Sequence, residues 1–204
     1  PITTRAFDRA GNVAIHSIKV SLDKTPPQLS SAISPQPNSF GWLKTDALIS
    51  FSGEDNLSGI FEINPTISVV STEGKEQKVR TQARDNADNL AELSVLVSID
   101  KSVPNITLSP SSFQFVNSGT PQLVVNHNDL ISGLNPASLR IMVDSQDLTG
   151  SFTRIHQGAS LTLQSPLADG QHSWQASIED LAGNSNTQTA PFTVSTDKAN
   201  TRLR

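Results

Sequence analysis

Residues 179–186 read "EDLAGNSN", and turns of the same wording stand at 8–14, "DRAGNVA", and at 85–91, "DNADNLA". Each follows a stretch of alternating apolar and polar residues, the period-two signature of a half-buried strand. A second such stretch then runs to another Asp, in "VSLDKTPP" (20–27), "VSIDKSVP" (97–104) and "VSTDKAN" (194–200). Strand, tight polar turn and returning strand make a hairpin. The spacing is nearly constant: 15 residues from Asp8 to Asp23 and from Asp85 to Asp100, and 17 from Asp180 to Asp197. A third shared word, "DNLSGI" (55–60) and "DLISGL" (129–134), lies earlier in each unit. Three words in the same order twice mark a tandem array.

The array predicts four segments: a closing hairpin of a preceding repeat at 1–22, domains at 23–100 and 101–197, and a linker or tail at 198–204 that includes "TRLR". Because residue 1 already falls in a strand pattern, the chain reads as a piece of something longer. Within the first domain "ALISFSG" (47–53), "TISVV" (66–70), "KVRTQAR" (78–84) and "LSVLVSI" (93–99) are short, β-rich and bounded by turn formers. The second offers "QLVVNH", "SLRIMVD", "SFTRI", "SLTLQ", "HSWQASI" and "PFTVS". Helical spacing of apolar residues lasts nowhere beyond a turn. About seven short strands per hundred residues describe an all-β chain of tandem immunoglobulin-like β-sandwich domains.

Composition agrees and excludes. Aromatic residues are 5% with no Tyr, so cores of Val, Ile, Leu and Ala are expected. A net charge of −4 argues against nucleic acid, whose phosphates select clustered Lys and Arg. No apolar run is long enough to span a bilayer as a helix, so no membrane insertion is expected. With no Cys there are no disulfides, thiolate nucleophiles or Cys-ligated zinc sites.

"FGWLKTDALISFSGEDNLSGI" and "ARDNADNLAELSVLVSIDKSVP" resemble the bacterial Ig-like repeats of large surface and secreted proteins. "PLADGQHSWQASIEDLAGN" is similar to a related bacterial Ig-like or cadherin-like repeat. The likeness covers nearly the whole chain. It implies an extracellular or cell-surface location and specifies fold better than function. One departure stands out: Asp88 occupies the turn position that Gly11 and Gly183 hold, and Asp tolerates the left-handed backbone such a turn needs.

Strand phase singles out the Asp residues. Trp174, Ala176, Ile178 and Asp180 share one face, as do Val79, Thr81, Ala83 and Asp85, and Ile2, Thr4, Ala6 and Asp8. A carboxylate aimed at the end of a core needs partners. One reading is its own turn's backbone N–H groups. The other is a cation. The immunoglobulin topology brings Asp23, Asp55 and Asp85 together at one domain entrance and Asp100, Asp129 and Asp180 at the next, and Ca²⁺ suits three carboxylates on irregular loops. The resemblance to repeats with junction-bound calcium points the same way. Such a metal would stiffen linkers that already carry Pro26, Pro27 and Pro104.

No enzyme is expected. The Asp residues recur per repeat, His16, His127, His156 and His172 lack zinc-site spacing, and no nucleophile elbow or phosphate loop occurs. His172 is expected to face solvent. Trp174 reads as core, while Phe40 and Trp42 either plug the sandwich edge or meet a sugar or partner. Three functions are compatible: a structural or adhesive spacer repeat with neighbouring Ig-like repeats and a host-surface or matrix ligand as partners, an accessory region of a secreted hydrolase, or a carbohydrate- or protein-binding module. The hairpin at 1–22, with "VAIHSIKVSL", is expected to self-associate when its own sandwich is missing.

Overall fold

A computed structural model describes residues 1–196. The tail predicted at 198–204, and Asp197 with it, lie outside the described residues. Strands β1 (Ile2–Phe7) and β2 (Val13–Ile18) form an antiparallel hairpin whose residues are all exposed. Strands β3 (Gln28–Ser34), β4 (Trp42–Leu43), β5 (Ala47–Glu54), β6 (Ile60–Asn64), β7 (Ile67–Val70), β8 (Gly74–Asp85) and β9 (Leu90–Ile99) build two sheets, in the orders β3-β5-β7 and β4-β9-β8-β6. The plan then repeats. β10 (Asn105–Ser109), β11 (Gln114–Val116), β12 (Gln122–Asn128), β13 (Leu134–Val143), β14 (Gln146–Asp147), β15 (Thr153–Ile155), β16 (Gly158–Thr162), β17 (Gly170–Asp180) and β18 (Ser185–Val194) form sheets β10-β12-β16-β15 and β11-β18-β17-β13-β14.

In both copies a two- or three-residue strand leaves the first sheet and runs parallel to the last strand of the second. That crossing, with the antiparallel remainder, is the immunoglobulin arrangement. The described residues contain no α-helix. The opening strands β3 and β10 were not read from sequence: β3 offers only half-buried Leu29 and Ile33 among Gln, Ser and Ala, too weak an alternation to register.

By compactness the chain divides into two units. One comprises Pro1–Ala32, Ile49–Ser68 and Val79–Val95; the other comprises Ile33–Leu48, Val69–Lys78 and the described chain from Leu96. In the second unit, Leu123, Val125, Ile141, Trp174, Ala176, Ile178, Phe192 and Val194 lead one buried cluster. Alternation along β17 sends Trp174, Ala176, Ile178 and Asp180 inward together, as its phase predicts. Burying each large apolar side chain contributes about 1.5–3 kcal/mol. The Trp174 indole N–H, which would otherwise be orphaned there, donates to Pro110 O at 2.9 Å.

His172 departs from its expected solvent-facing place. Its side chain is 12% exposed, with Nδ1 2.6 Å from Asp144 Oδ2 and Nε2 2.8 Å from Ala168 O. Both partners are acceptors, so only a doubly protonated ring satisfies both. Burial opposes that charge, but the Asp144 carboxylate and the Ala168 carbonyl outweigh it and raise the pKa above the ordinary value. On β18 the ring faces Phe192, which carries no charge. A raised pKa gives stability that is complete below the unfolded value and lost as pH rises through the folded one. Thermal melting should therefore fall as pH climbs through the range just above ordinary His titration. His172→Gln should lower stability at the acidic end and flatten that slope; an unchanged slope in the variant would refute the charged clamp.

Candidate metal centre

The three hairpin turns share one hydrogen-bonded form. In the first, Asp8 N–H donates to Asn12 O at 3.1 Å and Gly11 N–H to Asp8 O at 3.2 Å. The Asp8 carboxylate accepts from Ala10 N–H, Asn12 N–H and Asn12 Nδ2 at 2.9, 2.9 and 2.7 Å. Asp85 repeats this with Ala87 N–H, Asn89 N–H and Asn89 Nδ2, each at 2.8 Å. Asp180 does so with Asn184 N–H at 2.9 Å and Asn184 Nδ2 at 2.8 Å. The Asn four residues on is therefore the clamp that makes the word necessary. Sequence reading fixed on the Asp and missed that role, although the Asn recurs in all three turns. The position before it is left-handed, with φ of 86° at Gly11, 88° at Gly183 and 68° at Asp88.

The D-x-x-S-G words fold into a second kind of nest. Asp55 Oδ1 accepts from Leu57, Ser58 and Gly59 N–H at 3.1, 2.8 and 2.7 Å. Asp129 Oδ1 accepts from Ile131 and Gly133 N–H at 3.1 and 2.7 Å. Here the closing glycine is needed, since φ is 78° at Gly59 and 81° at Gly133. The entering Asp joins the two loops. Asp23 accepts from Thr25 N–H at 2.9 Å and Ser58 N–H at 3.1 Å, and Asp100 from Ser102 and Ser132 N–H, each at 3.0 Å. The clamp amides reach further, Asn184 Nδ2 to Asp100 O at 2.9 Å and Asn89 Nδ2 to Asp23 O at 3.4 Å.

These loops bring Asp23, Asp55 and Asp85 together inside one unit, and Asp100, Asp129 and Asp180 inside the other. In each set one carboxylate oxygen per residue lies within 4.8 Å of the others. Asp85, Asp100 and Asp180 are at most 1% exposed. Hydrogen bonds from Ser58, then from Thr25 N–H, hold the Asp23 carboxyl below its usual range despite the nearby Asp85 charge. For Asp85, burial pushes upward, and the Asn89 and Ala87 donors more than offset it. No Lys, Arg or His of the described residues pairs with any of the six. Asp55 Oδ2 and Asp129 Oδ2 accept no hydrogen bond from the described residues. The donor set is thus all oxygen, anionic and short of positive charge. Such a set fits a hard divalent cation: Ca²⁺–O bonds of about 2.3–2.6 Å put opposite ligands roughly 5 Å apart.

The remaining candidates scatter. His16 is exposed on β2, His127 half-buried on β12, His156 exposed beyond β15 and His172 clamped on β17. Trp174 is core and Trp42 is 6% exposed, which removes both from a sugar platform, while Phe40 remains 55% exposed. Asp88 generates a test. A non-glycine residue at left-handed φ costs about 1–2 kcal/mol, and the exposed Arg84–Asp88 pair at 3.0 Å offsets little of it. Asp88→Gly should raise stability by up to about 1 kcal/mol, and Asp88→Val should lower it by at least as much; denaturant midpoints that rank the other way would refute the strained turn.

Residues 97–198 match the bacterial Ig-like domain family. No curated protein matches the chain. Among solved structures, fibronectin(III)-like modules of Clostridium thermocellum CbhA align over 86% of this chain and 99% of theirs, at 12% identity and a TM-score of 0.38. Sidekick-1 immunoglobulin domains 1–4 align over 94% and 57%, at 12% identity and a TM-score of 0.49. A tetra-tandem repeat from the extending region of a large adhesion protein aligns over 95% and 56%, at 19% identity and a TM-score of 0.39. The chain thus spans little more than half the length of these last two structures. With half of its length matched and the immunoglobulin topology present twice, the chain belongs to the bacterial Ig-like domain family.

Proposed function

We propose that this chain is a run of non-catalytic spacer repeats from a large bacterial extracellular or cell-surface protein, and that each Asp cluster binds calcium. The domain bounds 23–100 and 101–197 belong to this reading, as do neighbouring Ig-like repeats and a host-surface or matrix ligand as partners. The observation that carries it is the convergence, twice, of three carboxylates with which no Lys, Arg or His of the described residues forms an ion pair. Asp23, Asp55 and Asp85 would hold one ion; Asp100, Asp129 and Asp180 would hold the other. The ion would neutralise mutual repulsion and fasten the entering segments, 23–27 and 100–104, to the loops behind them.

Millimolar calcium should stabilise the fold by about 1–2 kcal/mol at an affinity typical of extracellular modules, and chelator should reverse the effect. Asp129→Asn supplies the diagnostic sign. Its oxygen can keep the backbone donors while an amide replaces the orphaned Oδ2, so the variant should melt higher than the parent in chelator and respond less to calcium. Identical melting curves with calcium and with chelator would refute the metal reading. The hairpin at 1–22 belongs to the same picture. Ile2 and Ile18, paired across the hairpin on the face that Asp8 shares, are 59% and 48% exposed, an apolar surface that a further sandwich or a second copy would cover. Sedimentation should show self-association that disappears when residues 1–22 are removed; a concentrated monomer with the hairpin present would refute it.

A further inference from the structure

Two segments inside the second unit hold the same place in the immunoglobulin plan. In "NSFGWLK" (38–44), Gly41 N–H donates to Asn38 O at 2.9 Å, and Trp42 and Leu43 pair in parallel with Ser98 and Ile99. Asp100 N–H then closes on Leu43 O at 2.9 Å. In "SSFQFVN" (111–117), Gln114 N–H donates to Ser111 O at 3.2 Å, and Phe115 and Val116 pair with Thr193 and Val194. Ser195 N–H closes on Val116 O at 2.9 Å. Trp42 and Phe115 therefore share one register position. Their exposures are opposite, 6% for Trp42 and 75% for Phe115.

What differs is a long-range hydrogen-bonded neighbour on either side. Asn38 Nδ2 donates to Leu181 O at 2.8 Å and Lys44 Nζ to Gly183 O at 3.3 Å, so bonds reach the closing turn from both sides of Trp42. Ala182, between the two acceptors, is 4% exposed. Among the described residues no closing turn is hydrogen-bonded to 111–117 in this way. Phe113, 81% exposed and at a left-handed φ of 63°, stands beside the equally uncovered Phe115. A pair of large aromatics held out in water on a short, fixed segment marks an interaction site.

We propose that residues 111–117, with Phe113 and Phe115 at their centre, are the seat for the closing D-x-A-x-N turn of a further Ig-like repeat in the same chain. Ser111 stands where Asn38 does and Asn117 where Lys44 does; the Ser111 hydroxyl, now on Gln114 Oε1 at a long 3.4 Å, would turn to the seated carbonyl, so each side again offers a donor. The contact is small, one apolar turn residue between two hydrogen bonds, and would be weak between free molecules. A short covalent tether supplies the effective concentration that makes it persist. The occupant is thus a repeat in cis. The proposal rests on the tandem-repeat reading, which a parent chain without further repeats would defeat separately.

Two measurements judge the seat. In the chain itself, Ala182→Arg should expose Trp42 to acrylamide quenching while Trp174 stays protected; Trp42 remaining unquenched would overturn the role given to the turn. For the free seat, a second copy of residues 100–194, carrying Phe113→Ala and Phe115→Ala so that only the original pair is labelled, is joined directly after Val194, reproducing the Ile99–Asp100 step at its register equivalent. Hydroxyl-radical labelling of Phe113 and Phe115 should fall several-fold relative to the parent chain, and Arg at the Ala182 position of the added copy should restore it. Unchanged labelling beside a cooperatively folded added repeat would overturn the proposal. So would concentration-dependent protection of Phe115 in the parent chain, which would seat a second copy there instead.

Discussion

The hydrogen bonds between an Asp carboxylate and the Asn four residues further on organise this molecule. They form at Asp8–Asn12, Asp85–Asn89 and Asp180–Asn184. Each closes a hairpin whose strands carry the alternation that fills the core. At the second and third, the same amide reaches the carbonyl of the entering Asp, Asp23 or Asp100. One side chain thereby fixes the turn, the register of two long strands and the point where the chain enters the fold.

The cost of this device is charge. Hydrogen bonds from the Ser58 and Asn89 side chains, with backbone N–H groups beside them, hold Asp23 and Asp85 below the usual carboxyl range, and the loops that provide those donors crowd three carboxylates into one place. Hydrogen bonds from neutral amides lower the repulsion without removing it, because they bring partial charge only. The two clusters are alike in their residue types and in which oxygen is left over. The second is the more enclosed, with two of its three members buried against one of three in the first. Geometry that serves structure in the first instance thus also prepares an oxygen-rich site.

The tandem plan was legible because its signals are local. Period-two alternation, left-handed turn positions and Pro or Gly punctuation act within a few residues, so "EDLAGNSN" and "DLISGL" could be placed at strand ends directly. The clustering of Asp100, Asp129 and Asp180 followed from phase combined with topology. Strands β3 and β10 were not legible, because edge strands with few apolar residues pair through backbone that every sequence offers alike. Asn184 was visible as a letter of the word, but its second bond, to Asp100 O, spans 84 residues and leaves no local trace.

By itself the sequence determined the hairpins, the inward phase of Asp85 and Asp180, and the repeat of one all-β plan, since backbone sterics and side-chain alternation decide these within a strand. Only the tertiary structure decided what each exposed-looking side chain meets. His172 shares a polar strand end with residues that face water, yet Asp144 and Ala168 close on both its nitrogens. Trp42 and Phe115 occupy one register position, and among the described residues only the first is flanked by bonds to a closing turn, from Asn38 and Lys44. Burial is a property of what arrives from elsewhere in the chain, and no short stretch encodes its own cover.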